Sequence, residues 1–291
     1  MKTRRRSWIG LLFLVPAFLV FGLFQWYPIF SNFVLGFQEY TPGLDPTWVG
    51  FDNYSAIFAD DRLYVAVQNT FVYVGICLVI GFLLPIAVAI AISLLRRGKG
   101  FFRMAVYVPN IIPAVATYII WQWIYNPQFG LLNQVGGWMG IEPIQWLVDK
   151  NLVLLSIAIM ATWSGFGTTA VLYMASLTTI NSEMYEAAEI EGAGVWQRIR
   201  HITLPFLMPT ISLMLILQLL ATFQLLQEPF VLTAGGPNDA SLSVMLLSFQ
   251  YAFDNVEFGK AGALGTLVFL FLMLLSFAYI RRSGLAEKRG S

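Results

Sequence analysis

Long apolar runs alternate with short polar stretches along the whole chain, and the interiors of six such runs carry no Asp, Glu, Lys or Arg. Each can cross the ~30 Å hydrocarbon layer of a bilayer as a helix. The runs predict spans over about residues 8–30, 66–95, 104–126, 152–176, 204–228 and 260–281. A basic start (Lys2, Arg4, Arg5, Arg6) before the first run has the look of a secretory signal. The run is too long for one and no small-residue cleavage site follows, so it predicts a retained span. Pro109 and Pro113 should bend or locally unwind the start of the third span, which membrane helices tolerate where neighbours satisfy the freed carbonyls. Ala87 and Ala91, four apart in the second, suit a close helix contact. Residues 127–150 are rich in Gly and Pro and predict a loop with short helical turns, and Thr233–Pro237 predicts a turn.

Composition agrees with this pattern. The chain of 291 residues is 58% hydrophobic and only 11% charged, far from the quarter that is usual in soluble domains. One cysteine, Cys77, excludes an internal disulfide framework, and one histidine, His201, excludes a histidine-cluster metal site. A net charge of +1 argues against a nucleic-acid partner. The placement of charge says more than its sum. The N-terminus, residues 96–103, residues 181–204 and the C-terminus hold all of the 17 lysines and arginines except Arg62, Lys150 and Lys260. The positive-inside rule therefore places both termini and residues 181–204 in the cytoplasm. No fixed-period repeat or linker marks a second domain, so residues 1–291 read as one membrane-spanning domain, an all-α bundle of six helices.

The longest polar interruption on the basic side, EAAEIEGAGVWQRIRHITLP from Glu186 to Pro205, reads as two short helices joined at a glycine. Asn181 and Ser182 can cap the first helix, and Glu183 and Glu186 fall in its first turn at the positive end of the dipole. Gly192 breaks the run. In the second segment Val195, Trp196, Ile199 and Ile202 share one arc, opposite Gln197, Arg198, Arg200 and His201. Pro205 opens the next apolar run. Such a pair is either a docking surface or a solvated loop whose apolar arc lies on lipid headgroups.

The spacing Glu186-Ala187-Ala188, three residues, Gly192, nine residues, Ile202-x-Leu204-Pro205 resembles the EAA signature of ABC importer permeases. Val49–Tyr54 and the Thr-x-Gly-Gly-Pro at Thr233–Pro237 resemble segments of the carbohydrate (maltose and glycerol-3-phosphate type) permeases. The resemblance implies a type I importer permease of a bacterial or archaeal cytoplasmic membrane. It implies four kinds of partner: a second homologous permease, two ATP-binding subunits, an extracytoplasmic solute-binding protein and the lipid bilayer. Glu186, Ala187, Ala188, Gly192, Ile202, Leu204 and Pro205 would form the seat for an ATP-binding subunit. The chain itself would bind no cofactor, with ATP and magnesium held by that partner, and the cargo would be a sugar, oligosaccharide or polyol phosphate.

No GxxxxGK[ST] loop occurs, and no nucleophile–base pair or metal cluster is visible, so neither ATP hydrolysis nor other catalysis is expected of this chain. Ion-coupled carriers bury ionisable groups near the midplane, and the span interiors lack them. This weakens the alternative, an ion-coupled secondary transporter of a small polar solute. Gln218, Gln224 and Gln227 need partners inside a bilayer, either another helix or a substrate hydroxyl. Glu228, some 35 Å along an ideal helix from Pro205, is a wet interfacial carboxylate or an acceptor for a polar ligand. Trp121 and Trp163 are candidate stacking surfaces for a sugar's apolar face, whereas Trp8, Trp26, Tyr27, Trp123 and Tyr125 suit an interfacial belt.

Overall fold

A computed structural model of the chain describes the backbone of residues 4–287 and the side chains of residues 12–282. Lys2, Lys288 and Arg289 of the topology count lie outside the described residues, as do the side chains of Arg4, Arg5, Arg6 and Trp8. Among the described residues, five helices are long and apolar enough to cross a membrane: Leu12–Leu35, Asp61–Leu94, Val153–Leu177, Val195–Phe223 and Phe258–Arg282. A bent pair, Lys99–Ile111 and Ala114–Ile124, makes a sixth if taken as one span. In chain order these are the first, second, fourth, fifth, sixth and third spans.

The third span departs most from expectation. It begins at Lys99 rather than 104, and the bend or unwinding expected of the two prolines occurs at Pro113 alone, where the halves meet at 95°. Pro113 forces the break. It offers no N–H to the preceding turn and clashes with a helical Ile112, which is extended at ψ 128°. Pro109 sits inside the first half without ending it. The fifth span also differs, running from Val195 to Phe223 rather than 204 to 228. A helix running on through residue 229 would need Pro229 to donate to the Leu225 carbonyl, which it cannot, and the helix has already ended at Phe223. Instead Pro229 lies in the first turn of a separate short helix, Gln227–Thr233, where a missing N–H is harmless.

The described chain packs as two compact units, one comprising residues up to 63 with those from 247, the other residues 64–246. In the first unit the Tyr27–Leu35 segment lies on the sixth span, and the Asn32 amide donates to the Gly262 carbonyl at 3.3 Å. The Asn53 amide donates to the carbonyls of Gly36 and Gln38, at 3.2 and 2.9 Å. This fixes the 49–54 segment against a two-residue antiparallel ladder, Gln38–Glu39 with Thr47–Trp48. The Asp60 carboxylate accepts from the Tyr251 hydroxyl and from the Arg62 backbone N–H, and the Arg62 guanidinium donates to Gln250 at 2.7 Å. Partial burial pushes the Asp60 carboxyl up. The Tyr251 and Arg62 hydrogen bonds and the nearby Arg62 and Lys260 charges outweigh this, so its pKa lies below the ordinary aspartate value. A depressed carboxylate stabilises the fold fully above its unfolded pKa of about 3.9, and the contribution is lost as pH falls through the folded value. Acidification below about pH 4 should therefore lower the melting temperature more steeply in wild type than in Asp60→Asn. Parallel melting curves would refute the pairing.

The second unit has two buried clusters. One gathers Tyr125, Ile157 and Met160 with the short Gln227–Thr233 helix, and the other gathers Ile86, Tyr173 and Leu207 from the second, fourth and fifth spans. Tyr125 is thus not a belt residue. It is 1% exposed and donates to the Ser156 carbonyl at 2.8 Å, a bond that removes the need for an interfacial hydroxyl. Trp123 remains half exposed, as a belt residue would be. Ala87 and Ala91 do not make the close contact expected of them. Both are exposed, and Ala89 on the other face is the buried alanine. A tight helix crossing lies elsewhere, where Gly167 of the fourth span meets the backbone of Val106.

Candidate functional site

The loop between the fourth and fifth spans is a corner of two helices held by its own polar side chains. The Asn181 side chain accepts from the Glu183 N–H at 3.1 Å and caps the helix Ser182–Ile190, so Ser182 is its first residue rather than a second cap. Glu186 lies in the second turn, not the first, and is exposed together with Ala187. The helix closes with Gly192 at φ +82° and with the Ala193 N–H donating to the Ala188 carbonyl at 2.8 Å. This is the left-handed C-terminal arrangement that glycine adopts without strain. Gln197 accepts from the Gly194 N–H at 2.8 Å and starts the second segment, Val195–Arg198.

Two contacts lock the corner. Arg198 pairs with Glu189 at 3.1 Å, and the Tyr185 and Thr203 hydroxyls lie 2.9 Å apart. A π turn, Ile199–Thr203, then joins Val195–Arg198 to the rest of the fifth span without a break. The wide turn ends next to Pro205, which cannot donate to the His201 carbonyl, and a wider ring relieves that clash. It also shifts the helical register beyond Ile199. Ile199, Ile202 and Leu204 turn inward onto the Tyr173–Leu207 cluster, whereas Val195 and Trp196 stay exposed. The outer surface of the corner therefore presents Met184, Glu186, Ala187, Ile190 and Trp196, with Ile190 89% and Trp196 70% exposed. A shallow cleft of about 310 Å³ opens beside it, between Ala188, Gly192, Arg198 and Ile202.

A second candidate site is a cavity of about 720 Å³ within the 64–246 unit. It brings together Gln218, Gln224, Gln227 and Glu228, four of the six residues expected along a path. Gln218 donates to the Cys77 carbonyl at 2.9 Å, tying the fifth span to the second. Gln224 donates to the Leu220 carbonyl of its own helix at 2.8 Å. Gln227 accepts from the Tyr118 hydroxyl at 3.4 Å, which leaves its amide nitrogen available. Trp121 and Trp163 do not line the cavity. Trp121 is buried in the core, with its ring 5.0 Å from Tyr125 and 5.7 Å from Trp163.

Residues of the fourth span take the wall that the tryptophans leave: Thr162, Phe166 and Thr169. Their i, i+4, i+7 spacing marks one helix face and was available as a sign. The Thr162 hydroxyl is buried without a partner among the described residues, an orphan that a bound hydroxyl could satisfy. Gly81 opposite leaves room, since a Cβ there would lie 3.1 Å from the Gln218 amide nitrogen and 3.2 Å from Thr162 Oγ1. Among the described residues no group of three or more metal-ligating side chains exists.

Residues 81–283 match the family described as the inner membrane component of binding-protein-dependent transport systems. The chain belongs to this family. The permease is 35% identical over 279 residues to the probable ABC transporter permease protein YurN of Bacillus subtilis (94% of this chain, 95% of that one). It is 28% identical over 284 residues to the arabinooligosaccharide transport permease AraP of the same organism (96% and 90%). Identity to the trehalose/maltose transport permease MalF of Thermococcus litoralis is 27% over 282 residues (95% and 94%). Among solved structures, a bacterial alginate ABC transporter in complex with an alginate pentasaccharide-bound periplasmic protein shares the fold. The TM-score is 0.85 at 23% identity, over 96% of this chain and 95% of that one. The permease is thus a transport component of the ABC importer class with the type I permease fold, and not an enzyme. The ion-coupled carrier is not favoured.

Proposed function

We propose that the permease forms half of a translocation path for a carbohydrate, opened by ATP hydrolysis in a separate subunit. The observation that carries the cargo reading is the cavity of about 720 Å³, whose polar lining is mostly amide and hydroxyl, the partners that sugar hydroxyls need. Relatives named for arabinooligosaccharide and trehalose/maltose transport support it. The assembly would contain a second homologous permease, two ATP-binding subunits holding ATP and magnesium, and an extracytoplasmic solute-binding protein. Both termini and the 181–204 corner would face the cytoplasm, following the distribution of basic residues.

In this reading the exposed Glu186, Ala187, Ile190 and Trp196 dock in the ATP-binding subunit. Exposed apolar side chains flanked by a carboxylate suit an interface core with a polar rim. Ala187 and Ala188 permit close approach, Gly192 makes the corner, and Ile202, Leu204 and Pro205 join it to the fifth span. The test is a mild-detergent co-purification from native membranes with mass spectrometry of the accompanying chains. Wild type should bring down a P-loop ATPase and a second permease. Glu186→Lys should lose most of the ATPase and keep the second permease, since reversing a docking charge leaves an unpaired like charge at the interface. A wild-type chain that purifies alone or as a homodimer would sink the proposal.

A further inference from the structure

We propose that Glu228 sets the charge of the cargo, so that the cavity accepts neutral or cationic polyhydroxylated solutes and rejects anionic ones such as uronates and sugar phosphates. This rests on the cavity being the path. Glu228 lines it, and among the described residues no Lys, Arg or His does. Its titratable neighbours are Tyr73, Cys77 and Tyr118, none of them basic. The rest of the polar lining is amide, hydroxyl and the Cys77 thiol, so no cationic side chain among the lining residues balances the carboxylate. Among the described residues it has only its own backbone N–H, in the first turn of Gln227–Thr233, as a donor. In a confined, weakly screened space a single carboxylate repels an entering anion and attracts a cation. It also accepts hydrogen bonds only, which sugar hydroxyls provide and a ligand's own carboxylate or phosphate does not. The fold does not fix the cargo's charge, because a transporter of the same fold imports an acidic polysaccharide.

Cys77 lines the same cavity and is the chain's one cysteine, which makes the cavity's potential measurable without knowing the cargo. Its thiolate attacks a methanethiosulfonate, forming a disulfide and releasing methanesulfinate. The complete importer in native membranes is treated with a trimethylammonium-bearing, a neutral hydroxyethyl and a sulfonate-bearing reagent. Modification of this chain is followed by intact mass, and each rate is normalised to that of a free thiol.

The cationic reagent should outrun the anionic one roughly tenfold in wild type. Glu228→Gln should bring the ratio close to one, and Glu228→Lys should invert it. A ratio that neither variant changes overturns the role of Glu228 and leaves the path reading intact. Cys77 is only 4% exposed, so if the neutral reagent leaves it unlabelled the series is repeated with Ala221→Cys, an exposed position on the same wall, in a Cys77→Ala background. No labelling there, with or without ATP and vanadate, means that the cavity is closed to water and both readings fall. Should the Lys variant not assemble, the near-isosteric Gln variant decides the matter alone.

Discussion

Gly192→Val is expected to reduce transport by at least roughly tenfold while the chain still inserts in the membrane. The corner at Gly192 has φ +82°, where a side chain's Cβ crowds the backbone and a β-branched residue suffers most. The strain is about 1–3 kcal/mol, and 1.4 kcal/mol is tenfold in the population of the strained geometry. It is purely conformational, since a Cβ at this position meets nothing within 4 Å. Relief must come from rotating Ser182–Ile190 away from Val195, which separates Glu186 and Ile190 from Trp196. Gly192→Asn is the control, because asparagine tolerates the left-handed region and should retain most activity. Uptake and ATPase co-purification should fall together in the valine variant. Wild-type transport by Gly192→Val would show that the corner's geometry does not matter.

Gly167→Ala should cost about 1–3 kcal/mol of stability, and Gly167→Leu more, as overpacking does. A Cβ at Gly167 would lie 2.3 Å from the Val106 carbonyl oxygen, 3.1 Å from the Val106 carbonyl carbon and 3.2 Å from the Tyr107 Cα. All three are backbone atoms, so no rotamer change can relieve the clash. The fourth span must move away from the first half of the bent third span. Gly75→Ala, where nothing lies within 4 Å, is the matched control and should melt at or above the wild-type temperature. Thermal unfolding in detergent, followed by size-exclusion fluorescence, measures both. Equal melting temperatures for the two alanine variants would mean that the crossing is loose.

The spans were legible because bilayer thickness turns apolar length into a direct signal, and the 181–205 corner because its spaced residues resemble a known pattern. What escaped was decided by contacts. The fifth span stops at Phe223 and a separate helix with Pro229 in its first turn follows, a break that apolarity cannot show. Tyr125 has a belt-like sequence position and Trp121 reads as a stacking surface for a sugar, yet their rings meet in a buried core. The Thr162 face was readable at helical spacing, but only the fold shows that it lines a cavity shared with Gln218 and Glu228. Apolar periodicity put Val195, Trp196, Ile199 and Ile202 on one arc, and the π turn Ile199–Thr203 that shifts the register along it is a local response to Pro205 that a fixed period of 3.6 cannot anticipate.

The unbroken course of Val195–Phe223 has a mechanical consequence. Its 29 residues make a rod about 43 Å long. Trp196 stands at one end, and Gln218 and Thr222 of the cavity wall stand near the other. A tilt of about 5° around the rod's midpoint would carry each end about 2 Å in opposite directions. A displacement of that size exceeds the slack of a 2.9 Å hydrogen bond such as Gln218 to Cys77, so leverage at the corner can make or break it with no intervening hinge.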